Sequence, residues 1–222
     1  MLNIIKQALA KGQKTLSEYE SRLVIESAGV FVGAAALTKT REEAIQEAES
    51  MGYPVALKGC SAELSHKTEA GMVALNITDS NQVAQVFDEL MSKAINLDGI
   101  LVEKMVRGSR EFVIGLTRDP NFGPCVMFGL GGIFTEALKD VTFRMAPLTR
   151  EDALEMIDEI KTKKLLGEFR GSPAVDREAL AKALVGVGDL GMKYDAIAEI
   201  DINPLIICGD KPVAVDALVV LK

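Results

Sequence analysis

The chain has 222 residues, of which 48% are hydrophobic and 26% are charged, as in an ordinary soluble globular protein. Its net charge of −7 argues against non-specific nucleic-acid binding, because there is no excess of lysine and arginine to neutralise phosphates. There is no apolar run as long as a membrane span, and Cys60, Cys125 and Cys208 are far apart, so the sequence predicts a cytoplasmic protein with reduced thiols and no membrane partner.

Helices and strands alternate through the first half of the chain. Thr15 and Glu18 have the spacing of a capping box and predict the start of a helix that ends at Gly29. A second predicted helix ends at Gly52. The predicted elements that follow are a strand in YPVALKGC, a strand in GMVALNI, an amphipathic helix in SNQVAQVFDELMSKAI and a strand in GILVEKMV.

The second half repeats this alternation. Strands are predicted in REFVIGLTRD and NFGPCVMFGLGGIF, helices in REDALEMIDEI and DREALAKALVGVGDLG, and two closing strands in AIAEIDINPLIICGDKPVAVDALVVL around a turn at Gly209-Asp210. We therefore predict an α/β (α+β) fold with two α/β lobes, residues 1–104 and residues 105–222. The predicted hinge between them lies near VEKMVRG.

The strongest chemical signal is the segment AEIDINP near the end of the chain. Alternate side chains of a strand share a face, so Glu199, Asp201 and Asn203 point one way. Mg²⁺ prefers such hard oxygen ligands, completed by water and substrate phosphates. Asp216 lies in an otherwise apolar run, PVAVDALVV, and would approach Asn203 if the two strands pair around Gly209. The segment predicts a Mg²⁺ site, with a solvent-facing polar stripe and an edge-strand aspartate as the alternative.

Two residues of the first predicted lobe could handle phosphate. Lys58 closes the strand PVALK and could hold a polyphosphate as a point charge, with a solvated lysine at a strand end as the alternative. His66, in SAELSHKTEAGM, is the only histidine and cannot build a histidine-rich metal site. It could act alone as a nucleophile or phosphate carrier, or it could be an ordinary surface residue.

A glycine cluster and two glutamates complete the candidates. Gly129 to Gly132, in GLGG, follow a predicted strand and could offer backbone N–H groups to a phosphate, with a tight turn as the alternative. Glu103 and Glu111 flank the predicted hinge. A linker between lobes can offer backbone groups to an adenine and carboxylates to ribose hydroxyls, and a surface charge is the alternative for each glutamate.

Several motifs of this sequence, in this order, are those of one family. They are LSEYES near the start, GYPVALK followed by SHKTEAGMVAL, RDPNFGPCVMFGLGGIFTEALKDVTFRMAPL, and EIDINPLI with AVDAL near the end. The chain resembles, nearly end to end, an ATP-grasp domain, specifically the nucleotide-binding (β) subunit of ADP-forming acetyl-CoA or acyl-CoA synthetases, relatives of succinyl-CoA synthetase. The resemblance implies an ATP-grasp fold that holds the nucleotide between two α/β lobes.

The resemblance also implies roles at the nucleotide, which would be ATP or ADP. Lys58 corresponds to the lysine on the nucleotide phosphates, and Glu111 corresponds to the acidic residue used for ribose. Glu103, Met105 and Val106 occupy the segment between the lobes that receives the adenine.

Further implied roles concern the metal and the phosphoryl group. Asn203 and Asp216 correspond to the Mg²⁺ ligands, and Asp201 corresponds to the acidic residue beside the site of phosphate transfer. His66 falls where this branch of the family carries a histidine proposed to relay phosphate. The glycine loop of these synthetases corresponds to Gly129, Gly131 and Gly132.

The reaction that the resemblance implies is reversible. Acyl-CoA, ADP and phosphate give the free acid, CoA and ATP, with phosphate passing from an acyl phosphate through phosphohistidine to ADP. We find no CoA-binding region and no second histidine in the sequence, so we expect a CoA-binding α subunit as partner in a hetero-oligomer such as an α2β2 assembly. The alternatives are an ATP-grasp carboxylate ligase that acts through an acyl phosphate without phosphohistidine, and a non-catalytic nucleotide-sensing module.

Overall fold

The computed structural model describes residues 2–64, 67, 70–93, 96–132 and 138–222, so His66 lies outside the described residues. The chain forms two compact units. The larger unit consists of Met1–Thr15, Ser21–Val32 and Val106–Lys222, and the smaller unit consists of Leu16–Glu20 and Gly33–Met105. The lobe boundary at residue 104, and the assignment of the units to lobes around a nucleotide, stay predictions.

The secondary structure has the following bounds. The helices are α1 Leu2–Ala10, α2 Glu18–Glu26, α3 Arg41–Met51, α4 Ser80–Lys93, α5 Arg150–Glu159 and α6 Arg177–Lys193, with a short 3₁₀ helix at Lys163–Leu166. The strands are β1 Ala35–Thr38, β2 Val55–Cys60, β3 Val73–Ile77, β4 Gly99–Lys104, β5 Glu111–Asp119, β6 Gly123–Leu130, β7 Val141–Met145, β8 Ile197–Cys208, β9 Lys211–Ala214 and β10 Leu218–Leu221. In the described part of the chain, no helix has the length and apolar character needed to cross a membrane.

The smaller unit is a four-stranded antiparallel sheet, in the order β1-β4-β2-β3, packed against α3 and α4. Helix α3 begins with a capping box between Thr40 and Glu43, and its C-cap is Gly52, where the sequence predicts its end. The core of the unit contains apolar side chains of both helices and of the sheet, among them Ala44, Ala48, Val55, Leu57, Val83, Phe87, Ile100 and Val102. This packing holds β2 and β4 side by side and thereby positions Lys58 and Glu103.

The larger unit is built on an antiparallel sheet in the order β10-β8-β5-β6-β7, with β9 also paired to β8. Helices α5 and α6 pack against this sheet. The rings of Phe112 and Phe128 stack with their centroids 5.6 Å apart. Other buried side chains of the sheet are Ile114, Leu116, Val126, Ile200 and Ile202. Because side chains alternate along each strand, the opposite face is left to polar residues of β8.

Among the described residues, the sequence patterns miss helix α1, the 3₁₀ helix and strands β1 and β7. Strand β1 has only four residues, which are too few to establish a period of two. Strand β7 is an edge strand in which Phe143 and Met145 are exposed, so its apolar residues do not mark a buried face. The structure confirms the predicted helices α2 to α6 and the predicted strands β2 to β6 and β8.

The predicted cap of α2 is wrong by two residues. The N–H and the hydroxyl of Ser17 each donate to Glu20 Oε2 at 3.0 Å, and the N–H of Glu20 donates to Ser17 Oγ at 3.3 Å. The capping box therefore joins Ser17 and Glu20, and the predicted pair of Thr15 and Glu18 does not form it. The carboxylate of Glu18 is consequently available for a different contact.

A buried arginine, Arg110, fastens several loops of the larger unit. Its Nη1 donates to the carbonyl oxygens of Leu165 at 3.1 Å and Gly167 at 3.2 Å. Its Nη2 donates to the carbonyl oxygens of Pro173 and Gly209, both at 2.9 Å. The planar guanidinium carries its donors in a fixed fork, so one side chain satisfies four backbone acceptors.

We expect Arg110→Met to lower the free energy of unfolding by about 3 kcal/mol, because four backbone carbonyl oxygens lose the charged donor that links their loops. Arg107 is exposed and provides a matched control. Arg107→Met is expected to change the free energy of unfolding by less than about 0.5 kcal/mol. Denaturation in urea measures both variants, and equal stability of the two would contradict the structural role of Arg110.

Candidate functional site

Lys58 is buried inside the smaller unit and forms two ion pairs. Its Nζ lies 2.8 Å from Glu18 Oε1 and 2.8 Å from Glu103 Oε2. The residue is only 7% exposed, and β2 continues beyond it to Cys60. The prediction that Lys58 closes its strand is therefore wrong, and so is the alternative of a solvated strand-end lysine.

The register of the sheet explains why Lys58 meets Glu103. Ala56 of β2 pairs with Glu103 of β4, and Lys58 pairs with Leu101. Lys58 shares a face with Ala56, so Lys58 and Glu103 are diagonal neighbours on antiparallel strands, within reach of long side chains. Glu103 is 3% exposed, which rules out the surface-charge alternative for this residue.

Glu18 links Lys58 to a second lysine. Its Oε1 pairs with Lys58, and its Oε2 accepts from the Nζ of Lys67. Glu18 is 5% exposed. We call Glu18, Lys58, Lys67 and Glu103 the four-charge cluster, which holds two positive and two negative charges. Sequence reasoning assigned Glu18 only to a helix cap and missed its part in this cluster.

The two residues predicted to border the adenine lie where the chain leaves the smaller unit. Met105 is the last residue of the smaller unit, and Val106 begins the long segment of the larger unit. The N–H of Met105 donates to the carbonyl oxygen of Pro54 at 3.2 Å. Both side chains are partly exposed. Their contact with an adenine stays a prediction.

The glycine loop connects two other predicted site residues in the larger unit. The N–H of Gly131 donates to the carbonyl oxygen of Glu111 at 2.9 Å, and the N–H of Gly132 donates to Asn203 Oδ1 at 3.1 Å. Gly132 has a φ of +66°, and a Cβ added there would lie 2.0 Å from Glu111 Oε2. The positive φ therefore favours glycine at this position, and a larger residue would also require the side chain of Glu111 to move. Gly129 belongs to β6, and a phosphate contact of the loop stays a prediction.

The polar face of β8 is confirmed. Ile200 and Ile202 are buried at 1% and 0% exposure, whereas Glu199 is exposed and Asp201 and Asn203 are partly exposed. The alternation follows from the period of two in a strand. Oxygen-bearing side chains thus line one face of β8, as the sequence predicts.

Asp216 does not lie within a strand, and this part of the sequence prediction is wrong. PVAVDALVV forms two strands, β9 and β10, separated by residues 215–217. Pairing with β8 has the same register on both sides of this break, with Ala214 opposite Leu205 and Leu218 opposite Asp201. Asp216 therefore occupies the position opposite Asn203.

A proline explains the break. Pro204 of β8 has no N–H to donate across the sheet, and the N–H of Val215 donates to its carbonyl oxygen at 3.3 Å. The N–H of Ala217, two residues further along the chain, donates to Asp216 Oδ1 at 2.9 Å. Pro204 in DINPL is the signal from which this interruption could have been predicted.

The carboxylates near Asn203 repel one another. Burial, together with repulsion from Glu199 and Asp216, raises the pKa of Asp201 to about 6. A divalent cation relieves such repulsion, and carboxylate and amide oxygens are the donors that Mg²⁺ prefers. Among the described residues, no three His, Cys, Asp or Glu side chains form a metal-binding group. Asn203 and Asp216, which occupy opposite positions, fit Mg²⁺ by their donor chemistry, and water and phosphate oxygens would complete its coordination.

The similarity of the chain to known proteins extends over almost all of its length. The ATP-grasp domain family matches residues 7–221. The chain is 42% identical to the β subunit of acetate–CoA ligase [ADP-forming] I of Pyrococcus furiosus, over 98% of this chain and 96% of that subunit. It is 41% identical to the β subunit of ligase II of the same organism, over 100% of this chain and 98% of that subunit. The acetate–CoA ligase [ADP-forming] I of Archaeoglobus fulgidus is 38% identical over 98% of this chain and 32% of its own length.

Solved structures of the dinucleotide forming acetyl-coenzyme A synthetase 1 of Candidatus Korarchaeum cryptofilum have the same fold. Its complex with coenzyme A, Ca-AMPCP and HgCl⁺ matches with a TM-score of 0.93 and 39% identity, covering 99% of both chains. Its complex with coenzyme A and acetyl-coenzyme A, which has a phosphorylated phosphohistidine segment, matches with a TM-score of 0.89 and 38% identity over 99% of both chains. A complex with coenzyme A and Mg-AMPPCP has a TM-score of 0.88 at 40% identity over the same share of both chains.

These findings confirm the predicted family and the predicted ATP-grasp fold. The match to the domain family and the matches to the Pyrococcus subunits all cover nearly the whole chain. The chain belongs to the ATP-grasp family, in the group of the β subunits of ADP-forming acetate–CoA ligases.

Proposed function

We propose that this chain is the nucleotide-binding β subunit of an ADP-forming acyl-CoA synthetase. With a CoA-binding α subunit it converts acyl-CoA, ADP and phosphate to the free acid, CoA and ATP, and the reaction is reversible. The observation that carries the proposal is the 42% identity to an acetate–CoA ligase β subunit over 98% of this chain and 96% of that subunit.

In this proposal Lys58 holds the phosphates of ATP or ADP. The burial of its ammonium between Glu18 and Glu103 supports this role, because a lysine held in one place acts as a fixed point charge. Glu103, Met105 and Val106 border the adenine. Glu111 binds the ribose hydroxyls, and the backbone bond from Gly131 to its carbonyl oxygen supports its placement beside the glycine loop.

Asn203 and Asp216 hold Mg²⁺ in this proposal, and Asp201 lies beside the phosphoryl group in transfer. The bond from the N–H of Gly132 supports the assignment of Asn203, because it orients the amide and leaves a second lone pair on Oδ1 for a metal. Mg²⁺, when bound, supplies positive charge that neutralises phosphate oxygens. The loop of Gly129, Gly131 and Gly132 supports this centre from the side of β6.

His66 carries the phosphoryl group between two partners in this proposal. A nitrogen of its imidazole attacks the phosphorus of an acyl phosphate and releases the carboxylate of the acid. An oxygen of the β-phosphate of ADP then attacks the same phosphorus, which forms ATP and restores the imidazole. The phosphorylated phosphohistidine segment in the Korarchaeum synthetase supports this route.

The CoA-binding partner is a separate α subunit, in a hetero-oligomer such as an α2β2 assembly. The names of two relatives support this. The Pyrococcus relatives, which this chain covers at 96% and 98% of their length, are named as β subunits.

The test compares turnover by the chain alone with turnover by the complex that copurifies with it from the native host. We expect the complex to form ATP from acetyl-CoA, ADP and phosphate, and the chain alone to form none. Mass identification of the copurified protein should show a CoA-binding subunit. Turnover by the chain alone would contradict the need for a partner. The same complex is also assayed for the exchange of an isotopic label between ADP and ATP. Absence of this exchange would favour a nucleotide-sensing module.

A further inference from the structure

The carboxylate of Glu18 bridges two lysines that come from different parts of the smaller unit. Its Oε1 lies 2.8 Å from the Nζ of Lys58 in β2, and its Oε2 accepts from Lys67 in the segment between β2 and β3. Glu103 pairs with Lys58 from the neighbouring strand. Glu18 thus contacts both lysines of the four-charge cluster.

The structure of helix α2 does not require the charge of Glu18. Ser17 and Glu20 form the cap that satisfies the start of the helix. Stability does not account for the buried charges either, because apolar residues of the same volume usually stabilise a core at least as well as a buried ion pair does. A different role for the carboxylate is therefore needed.

Electrostatics supply that role. Two ammonium groups that share one carboxylate are close enough to repel each other, and in a buried site this repulsion is weakly screened. Without the negative charge of Glu18, Lys58 and Lys67 would move apart or towards water. With it, the Nζ of Lys58 is held between Glu18 and Glu103 in one position.

We propose that Glu18 is a positioning residue of the nucleotide site, which acts through Lys58. It fixes the ammonium of Lys58 at the position where nucleotide phosphates are bound, and it holds the ammonium of Lys67 beside it. This inference rests on the proposed function of Lys58. Glu18 is itself negative, so its direct electrostatic effect on a phosphate would be repulsion. A positioning role predicts the opposite result, namely that removal of its charge weakens the binding of a phosphate ligand.

The test measures the affinity of the full chain for Mg-ADP and for adenosine, which has no phosphate. Glu18→Gln keeps the size of the side chain and removes its charge. We expect it to weaken Mg-ADP binding about tenfold, because misplacement of a charged group by a fraction of an ångström is costly, and to leave adenosine binding unchanged. Glu18→Asp keeps the charge and is expected to recover part of the affinity.

Two matched variants serve as controls. Glu20→Ala removes the helix cap and should lower the melting temperature without changing the affinity for Mg-ADP. Glu63→Gln removes an exposed carboxylate from the segment after β2 and should change neither.

Each outcome of the test decides the inference. Unchanged or tighter Mg-ADP binding by Glu18→Gln would overturn it, and so would an equal loss of Mg-ADP and adenosine binding, which would indicate a general loss of structure. If Glu18→Gln does not fold, Glu18→Asp decides, because the positioning role requires it to lose more affinity for Mg-ADP than for adenosine. Failure of the wild-type chain to bind Mg-ADP would instead refute the proposed function.

Discussion

Replacement of Lys58 by methionine is expected to weaken Mg-ADP binding by about 100-fold, because a charge-assisted contact to phosphate contributes about 2–3 kcal/mol. The same change removes the ammonium that lies between the carboxylates of Glu18 and Glu103. We therefore also expect the free energy of unfolding to fall by about 3 kcal/mol. Calorimetric titration and urea denaturation measure the two effects separately.

Lys104 provides the matched control for this variant. It lies at the end of β4 in the same sheet, and its Nζ donates to the carbonyl oxygens of Gly52 at 2.7 Å and Tyr53 at 3.1 Å. Lys104→Met is expected to lose stability and to keep its affinity for Mg-ADP. An equal loss of affinity in both variants would show that Lys58 acts through the fold alone.

Replacement of His66 by asparagine is expected to abolish ATP formation by the complex, with a loss of about 1000-fold or more, because asparagine cannot carry a phosphoryl group. Binding of Mg-ADP should change by less than about threefold, since the nucleotide contacts are made by other residues. The assay uses the copurified complex with acetyl-CoA, ADP and phosphate. A titration of the same variant gives its affinity for Mg-ADP.

This variant separates two classes of ATP-grasp enzyme. A carboxylate ligase that transfers phosphate directly to its acid substrate has no use for a phosphohistidine, so it would keep its rate when His66 is replaced. Glu63→Gln, on the same segment of the chain, controls for local disturbance and should turn over at the wild-type rate. Retained turnover in His66→Asn would therefore contradict the relay.

The polar face of β8 could be predicted because a strand has a fixed period of two. Once AEIDINP is taken as a strand, Asp201 and Asn203 must share a face, and Ile200 and Ile202 must enter the core. The turn at Gly209 could also be predicted from its local sequence, because glycine and aspartate favour tight turns between strands. These features depend only on residues that are close together in the chain.

Glu18 shows where local reasoning fails. Its spacing from Thr15 matches a capping box, and nothing in the neighbouring residues indicates that its carboxylate pairs with Lys58, 40 positions away. The bond between Gly132 and Asn203 likewise joins residues 71 positions apart. Contacts of this kind follow from the way helices, loops and strands that are distant in the chain pack together, which local sequence patterns do not determine.

Calorimetric titration of the isolated wild-type chain with ADP, in the presence and absence of Mg²⁺, tests the central claim most directly. A nucleotide-binding subunit predicts saturable binding at one site per chain, weakened when Mg²⁺ is removed because carboxylates near Asn203 then face the phosphates without a cation. A folded chain that binds no ADP at millimolar concentration in the presence of Mg²⁺ would contradict the claim.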